Sequence, residues 1–379
     1  MTATRLTRRA ALALGLAGIT TQKPFISAGK AMADSLPDTV VYVSNAGNPG
    51  IGFFSMNRDS GDLTPVADVQ IPGTDKPSPT SMPMAVSPNR RFLYAGLRSQ
   101  PYTVASFTID PTTGVLTHLG DAPLADSMAY IVTDRSGRFL LSASYPGSKL
   151  AINPIDQQGR VQGQTTQIIP TKPKAHCILV DPTNKYCYAT SLGGDIVMEW
   201  KFDSSAGRLS PNSPDSIAVA AGNGPRHLRF HPSRPFLYLI TETTARIAVF
   251  AIDPETGTLR EIEIVDTLPA DFHEQPAAAD LHITPDGRFI YGSERKSSTL
   301  AGFKIDAATG KLSPIGRWPT EKTPRGFNID PRGRFLLSVG LDSNAMTVHR
   351  IDPQSGALSV AHQYPMGKMP NWVEIVDLK

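Results

Sequence analysis

The chain has 379 residues, with 37 Lys and Arg against 34 Asp and Glu, and only 19% of it is charged. Its 31 glycines and 33 prolines argue against helical bundles and coiled coils, and an apolar share of 40% excludes a disordered polymer. At this length a large core can be built, here from many short elements joined by tight turns.

The positive excess is unevenly placed. Residues 1–33 carry Arg5, Arg8, Arg9, Lys23 and Lys30 with no acidic residue, and without them the balance is 32 cations against 34 anions. Thr7-Arg8-Arg9 precedes an apolar run from Ala10 to Ile19, and Ala31-Met32-Ala33 fits a small-x-small cleavage pattern before Asp34. The twin arginine looks like a Tat signal. The expectation is therefore an export leader over 1–33, handed to the Tat machinery, and one periplasmic domain over 34–379. A basic helix retained as a lipid-surface anchor is the alternative. The apolar run is too short to span a bilayer, and the scattered lysines downstream give no stripe for nucleic acid. Cys177 and Cys187 are too few for a disulfide framework and lie in apolar runs, so buried free thiols are expected.

From residue 40 onward the chain repeats. The first recurring unit is a polar turn, Gly, one residue and then an aliphatic one: Gly61-Asp62-Leu63, Gly114-Val115-Leu116, Gly159-Arg160-Val161, Gly207-Arg208-Leu209, Gly257-Thr258-Leu259, Gly310-Lys311-Leu312 and Gly356-Ala357-Leu358. Gly61 to Gly356 is 295 residues over six intervals, about 49 per unit, which lies in the range of propeller blades. Between these turns comes a second unit, a Pro or Asp turn followed by a Phe-Leu-Tyr-like strand, as in Ser87-Pro88 to Tyr94, His231-Pro232 to Tyr238 and Thr284-Pro285 to Tyr291. Each period thus supplies two hairpins, or one four-stranded blade. Val40-Val41-Tyr42-Val43 reads as a second strand with no first strand before it, and Met369 to Val376 reads as a first strand with no second after it. The fold expected is all-β, a seven-bladed β-propeller whose first blade is completed by the C-terminal strand.

In such a ring the start of each inner strand and the end of the next strand share one funnel. The inner-strand starts are Met82, Ala129, His176, Arg226, Ala279 and Arg325, followed by Pro83, Tyr130, Cys177, His227, Asp280 and Gly326. Polar residues break the apolar pattern in blades four to seven, as expected where repeats diverge to make a site. Folding 226–242 about its turn sets Arg226 opposite Thr241 and beside Glu242. The same operation sets Ala279 opposite Glu294. Arg226, Glu242, Glu294, Arg295 and Arg325 then share one rim, suited to bidentate capture of a carboxylate or phosphate, with His176 placed for proton transfer. His227 and His282 are further candidates to contact a ligand. The alternative is a salt-bridge network that only braces the channel walls. No His-Glu-x-x-His, Cys-x-x-Cys, EF-type or Gly-rich phosphate motif is present in the sequence, so neither a metal nor another cofactor is expected.

Gly224-Pro225-Arg226-His227, Ala278 to Arg288, Thr323 to Asn328 and Pro370-Asn371-Trp372-Val373 together resemble the seven-bladed propeller lactonases, the bacterial 6-phosphogluconolactonase type, with fungal carboxy-muconate lactonising enzymes as relatives. The resemblance covers residues 40–376. It implies a catalytic set of His176, Arg226, Glu242 and Arg325; the strand comparison adds His227, His282, Glu294 and Arg295 as candidate substrate-binding residues. Where the family commonly has Asp-Arg, this chain has Glu294-Arg295. The implied activity is metal-independent hydrolysis of a sugar-acid or related anionic lactone, with His176 assisted by Glu242. A cycloisomerase acting on an unsaturated diacid and a non-catalytic binding propeller are the rivals.

Overall fold

Runs of β-branched and aromatic residues between turn signals become strands. In the computed structural model, which describes residues 36–72 and 76–378, every regular element is extended, and the strands form seven four-stranded antiparallel sheets. The leader expected at 1–33 lies outside the described residues. Blades 2 to 7 begin with the inner strands Met84–Val86, Met128–Thr133, Ala175–Val180, Pro225–Phe230, Ala278–Ile283 and Pro324–Ile329, and successive inner strands touch around a common axis. The second and third strands of each blade are buried on both faces between neighbouring blades. That burial is why they read as unbroken apolar runs, whereas the outer strands are largely exposed.

Blade 1 closes the ring as expected. Thr39–Asn45 is buried throughout and pairs on one side with Gly50–Met56 and on the other with the C-terminal strand Pro370–Asp377, with Val41 opposite Ile375 and Val43 opposite Val373. The N-terminal and C-terminal strands of the described residues therefore share one sheet, and both edges of Thr39–Asn45 are paired.

The two repeated sequence units meet between blades. Gly61 abuts Phe335, Gly114 Val40, Gly159 Phe92, Gly207 Phe139, Gly257 Tyr186, Gly310 Phe236 and Gly356 Phe289. Each turn glycine thus packs on the start of the second strand one blade earlier, all the way round. Tyr188 and Tyr238 then donate hydrogen bonds to the carbonyls of Gly257 and Gly310 at 2.7 and 2.9 Å. At Gly257 the backbone is left-handed (φ 68°), and a Cβ would lie 2.2 Å from the Tyr186 ring. At Gly222 φ is also positive (79°), but no atom lies within 4 Å of the Cβ position. Gly257→Ala should therefore cost about 2–4 kcal/mol, from left-handed strain plus overpacking, and Gly222→Ala only about 1–2 kcal/mol from the backbone. Equal losses in urea titrations of the two variants would refute the blade-to-blade contact as the reason for the repeat.

The inner strands carry an irregularity that the repeat pattern does not reveal. Pro225, not Arg226, is opposite Thr241, and Ala278, not Ala279, is opposite Glu294. The register expected from simple hairpin folding is thus off by one, because each of these strands bulges just after its first residue. The same shift brackets Ala129, His176-Cys177, Arg325 and Asn371. A bulge places an extra residue outside the ladder and re-aims its side chain. His176, Arg226 and Arg325 are all such residues.

Candidate active site

Arg226 is 1% exposed despite its charge. A buried guanidinium must be hydrogen-bonded and paired, and its Nε donates to Glu242 Oε2 at 2.8 Å while Nη1 donates to the Ala279 carbonyl. The other Glu242 oxygen takes Arg295 Nη2 at 3.1 Å. Arg295 is anchored in turn by Nε to the Ala277 carbonyl at 2.7 Å. Burial works to raise the Glu242 pKa, but the charges of Arg226, Arg295 and Arg325 overcome it and hold the carboxyl ionised below its ordinary value. The same burial, with Arg295 adding repulsion, brings Arg226 down to about 10, so it is still a cation at neutral pH.

Arg325 differs from both. Among the described residues it has no hydrogen-bond acceptor and no ion-pair partner. Burial, followed by the charges of Arg226, Arg295 and Arg98, depresses its proton affinity well below the usual value. Three guanidiniums with one carboxylate between them leave this cluster with an excess of positive charge and of hydrogen-bond donors.

His176 is buried, its ring edge-on to Tyr145 at 5.8 Å and 5.1 Å from the ring of His227. Its Nδ1 is buried with no hydrogen-bond partner among the described residues. Desolvation first, then Arg226, His227, Arg325 and Arg98, pushes its pKa well below 6.5, so the imidazole is neutral and able to accept a proton. Glu242 is not hydrogen-bonded to it: the carboxylate is engaged by Arg226 and Arg295. His227 Nδ1 lies 2.7 Å from Asp280 Oδ1, and burial holds the ring neutral, with its pKa down to about 3. The ionised Asp280 therefore accepts a hydrogen bond from Nδ1–H and leaves Nε2 as a bare acceptor, buried and with no partner among the described residues.

The remaining candidates lie apart from this cluster. Glu294 is buried, and its two oxygens accept the amides of Ala277 and Ser297, both at 2.6 Å, which shapes the loop that carries Arg295. His282 lies deeper, against Phe327, with Nε2 2.9 Å from Arg229 Nη2. It lines a cavity of about 320 Å³ toward the far ends of the inner strands, beside Arg229, Asp280 and Glu374. Tyr130 and Trp372 also line that cavity, with their rings 5.1 and 6.0 Å from that of His227. Cys177 and Cys187 are free and buried, and burial pushes the Cys177 thiol up to about 12, so both are inert.

Two residues at the mouth escaped the sequence reading. Glu242 and Arg295 each directly follow the second strand of their blade, and the equivalent positions in blades 2 and 3 are Arg98 and Tyr145. Applying the hairpin comparison to every blade, not only to those with polar inner strands, would have found them.

The fold and this cation-rich mouth define a class: a seven-bladed propeller with a candidate small-molecule site at one end of its axis. The chain belongs to the family of seven-bladed β-propeller lactonases, whose pattern it matches over residues 40–375, and it is thus a lactonase, a carboxylic-ester hydrolase. It is 37% identical over 290 residues to a 6-phosphogluconolactonase of Pectobacterium atrosepticum, covering 76% of this chain and 84% of the relative. A Yersinia enterocolitica 6-phosphogluconolactonase is 39% identical over 291 residues, with the same two coverages. The fold is shared with the periplasmic gluconolactonase of Pseudomonas aeruginosa at a TM-score of 0.81 and 24% identity, over 90% of this chain and 99% of the other.

Proposed function

We propose that this protein hydrolyses the lactone of an anionic sugar acid at the channel mouth, with water as nucleophile. The observation that carries the reading is Arg325, a half-buried guanidinium with no acceptor among the described residues, beside Arg226 and a neutral His176. As water attacks the lactone carbonyl, His176 takes its proton and the carbonyl oxygen becomes an oxyanion facing Arg226 and Arg325. Collapse breaks the ring C–O bond, and the imidazolium returns the proton to the departing alkoxide. Glu242 acts by holding Arg226 and Arg295 in place and not as a partner of His176, which refines the role that the family resemblance implies. Replacing His176 by Ala should remove turnover of a gluconolactone while leaving the melting temperature near that of the parent. Unchanged turnover would refute the assignment.

Charge coupling gives this reading a pH signature. In the free protein, burial and three nearby arginines depress His176 well below 6.5. A bound anion offsets those charges and raises the imidazole pKa toward its ordinary value. A base must be unprotonated to act, so activity falls as pH drops through its pKa. The acid limb of kcat, which reports the complex, is expected at a higher pH than that of kcat/KM, which reports the free protein. Coincident limbs would mean that the substrate places no negative charge near His176.

We also propose that residues 1–33 direct export and are removed, which leaves a periplasmic lactonase. The support is the twin arginine, the apolar run and the Ala31-Met32-Ala33 pattern. Mass spectrometry of protein from the native host should find an N-terminus near Asp34, and an intact Met1 would refute export with cleavage.

A further inference from the structure

A neutral imidazole keeps one proton, and the hydrogen bond made by one ring nitrogen decides which of the two carries it. Glu242 does not make that choice for His176, because its oxygens are taken by Arg226 and Arg295. The inner strands supply another pair of groups. One residue beyond the bulged Arg226 stands His227, and at the equivalent place in the next blade stands Asp280, both of them buried. His227 Nδ1 lies 2.7 Å from Asp280 Oδ1, which also accepts the Leu281 amide at 2.9 Å, while Oδ2 lies 3.3 Å from His282 Nε2. An ionised carboxylate can only accept, so the single proton of His227 is held on Nδ1 and its Nε2 is a lone pair.

The neighbours of that lone pair are few. Three rings pack on His227: Tyr130, Trp372 and His176. The Tyr130 hydroxyl is engaged by Arg229 Nη1 at 2.7 Å, and Trp372 Nε1 donates to Glu374 Oε1 at 2.9 Å. His176 is the ring with a nitrogen to spare. Its centre is 5.1 Å from that of His227 at a tilt of 59°, and about 5 Å is the separation that an N–H···N bond between two imidazoles spans. His176 Nδ1 and His227 Nε2 are both buried, and neither has a partner among the described residues. Two such nitrogens side by side are costly unless one donates to the other. They do not meet in hydrogen-bond geometry in this structure, and catalytic contacts of this kind commonly tighten only in the reacting complex.

We propose that Asp280 and His227 are a positioning couple that sets the tautomer of His176. This rests on the role of His176 as base proposed above and adds what orients it. Asp280 keeps the His227 proton on Nδ1, the bare Nε2 of His227 draws the His176 proton onto Nδ1, and Nε2 of His176 is left as the basic nitrogen toward the lactone. When that nitrogen takes the proton of the attacking water, the imidazolium donates through Nδ1 to His227, with Asp280 as counter-charge one ring away. On collapse the proton leaves Nε2 for the departing ring oxygen. Asp280 itself is not protonated at any step, as for the carboxylate of hydrolytic triads.

The test reads the tautomer directly, by nitrogen NMR of protein with isotope-labelled histidines, the His176 signals being identified by their loss in His176→Ala. The parent should carry the His176 proton on Nδ1 and none on Nε2. Asp280→Asn can donate its amide to His227 and reverse that ring, so the His176 proton should move to Nε2. In steady-state hydrolysis of glucono-δ-lactone, Asp280→Asn and His227→Phe should each lower kcat about 100-fold, the scale of general-base catalysis, with little change in KM. His227→Gln can donate to Asp280 and accept from His176, and should recover about 10-fold of that loss. Melting temperatures confirm that each variant is folded. A parent His176 protonated on Nε2, a tautomer unmoved by Asp280→Asn, an unchanged kcat in that variant, or a folded His227→Gln no better than His227→Phe would each overturn the couple. The NMR result needs no turnover, so the two proposals fail separately: a fully active His176→Ala overturns His176 as the base, whereas an inactive His176→Ala beside an Nε2-protonated parent removes the couple alone.

Discussion

Arg226→Ala is expected to lower kcat for lactone hydrolysis by about 100-fold or more, the usual effect of removing one preorganised oxyanion donor. The loss should exceed that of an exposed arginine because Arg226 is 1% exposed and its Nε is fixed 2.8 Å from Glu242. In such a site the donor is oriented before the substrate arrives and needs no reorganisation as charge develops. The substitution also removes a donor from the Ala279 carbonyl and one of two cations from Glu242. Breaking a buried pair costs about 3–5 kcal/mol when the remaining charge is stranded. Arg295 still holds Glu242 here, so the stability loss should lie at or below the lower end. Arg226→Lys keeps the charge but not the fork, and should recover stability more than turnover. If Arg226→Ala keeps full activity at 25 °C, the oxyanion is not stabilised at this position.

Deleting residues 370–379 should lower the melting temperature by more than about 10 °C or prevent soluble expression, the largest stability effect expected in this chain. The deletion removes the whole inner strand of blade 1, which pairs with Thr39–Asn45 along its length. Val373 and Val376 are each 2% exposed in the intact ring, and burial of such side chains is worth about 1.5–3 kcal/mol apiece. Their loss also exposes the facing side chains of Val41 and Val43 and leaves a bare strand edge beside the axis. Asn371 disappears as well, and with it the acceptor for the Met82 amide at the start of blade 2. A synthetic peptide spanning 366–379, added to the truncated protein, should raise its melting temperature again. A truncated chain that melts with the parent would show that the terminal strand does not hold the ring closed.

A titration follows from His227. Its folded pKa of about 3 lies below the ordinary 6.5, so the unfolded chain binds the proton more tightly. The stabilisation is complete above 6.5 and fades as pH falls toward 3, in the direction required by linkage. Glu374 runs the other way. Burial raises it to about 7, so its contribution is complete below its ordinary 4.5 and fades as pH rises through 7.

Much of this architecture is legible in the chain because it rests on contacts between near neighbours. A hairpin is set by a few residues around its turn, so the Gly-x-Leu and Pro-x-x-Arg-Phe units announce themselves at a regular period. Arg226 and Glu242 belong to one hairpin, and turn counting alone brings them together. The unmatched strand at Val40 likewise implies its partner at Met369–Val376, since only a sheet-forming partner leaves no edge.

Other features depend on competition among side chains that the period brings close but cannot rank. Glu242 could have oriented His176 or an arginine, and it takes Arg226 and Arg295. Glu294, alike in charge but one position earlier in its blade, turns to the amides of Ala277 and Ser297. Arg98 reaches Ser127 across a blade boundary, and the bulges that re-aim His176, Arg226 and Arg325 shift the expected pairing by one residue. Turn chemistry is local and acts through the backbone, so the residues alone determine seven blades, their closure and the end of the axis where charge collects. Which buried charge is compensated, and which is left for a ligand, follows from distances and desolvation among residues about 50 positions apart, and only the folded ring sets those.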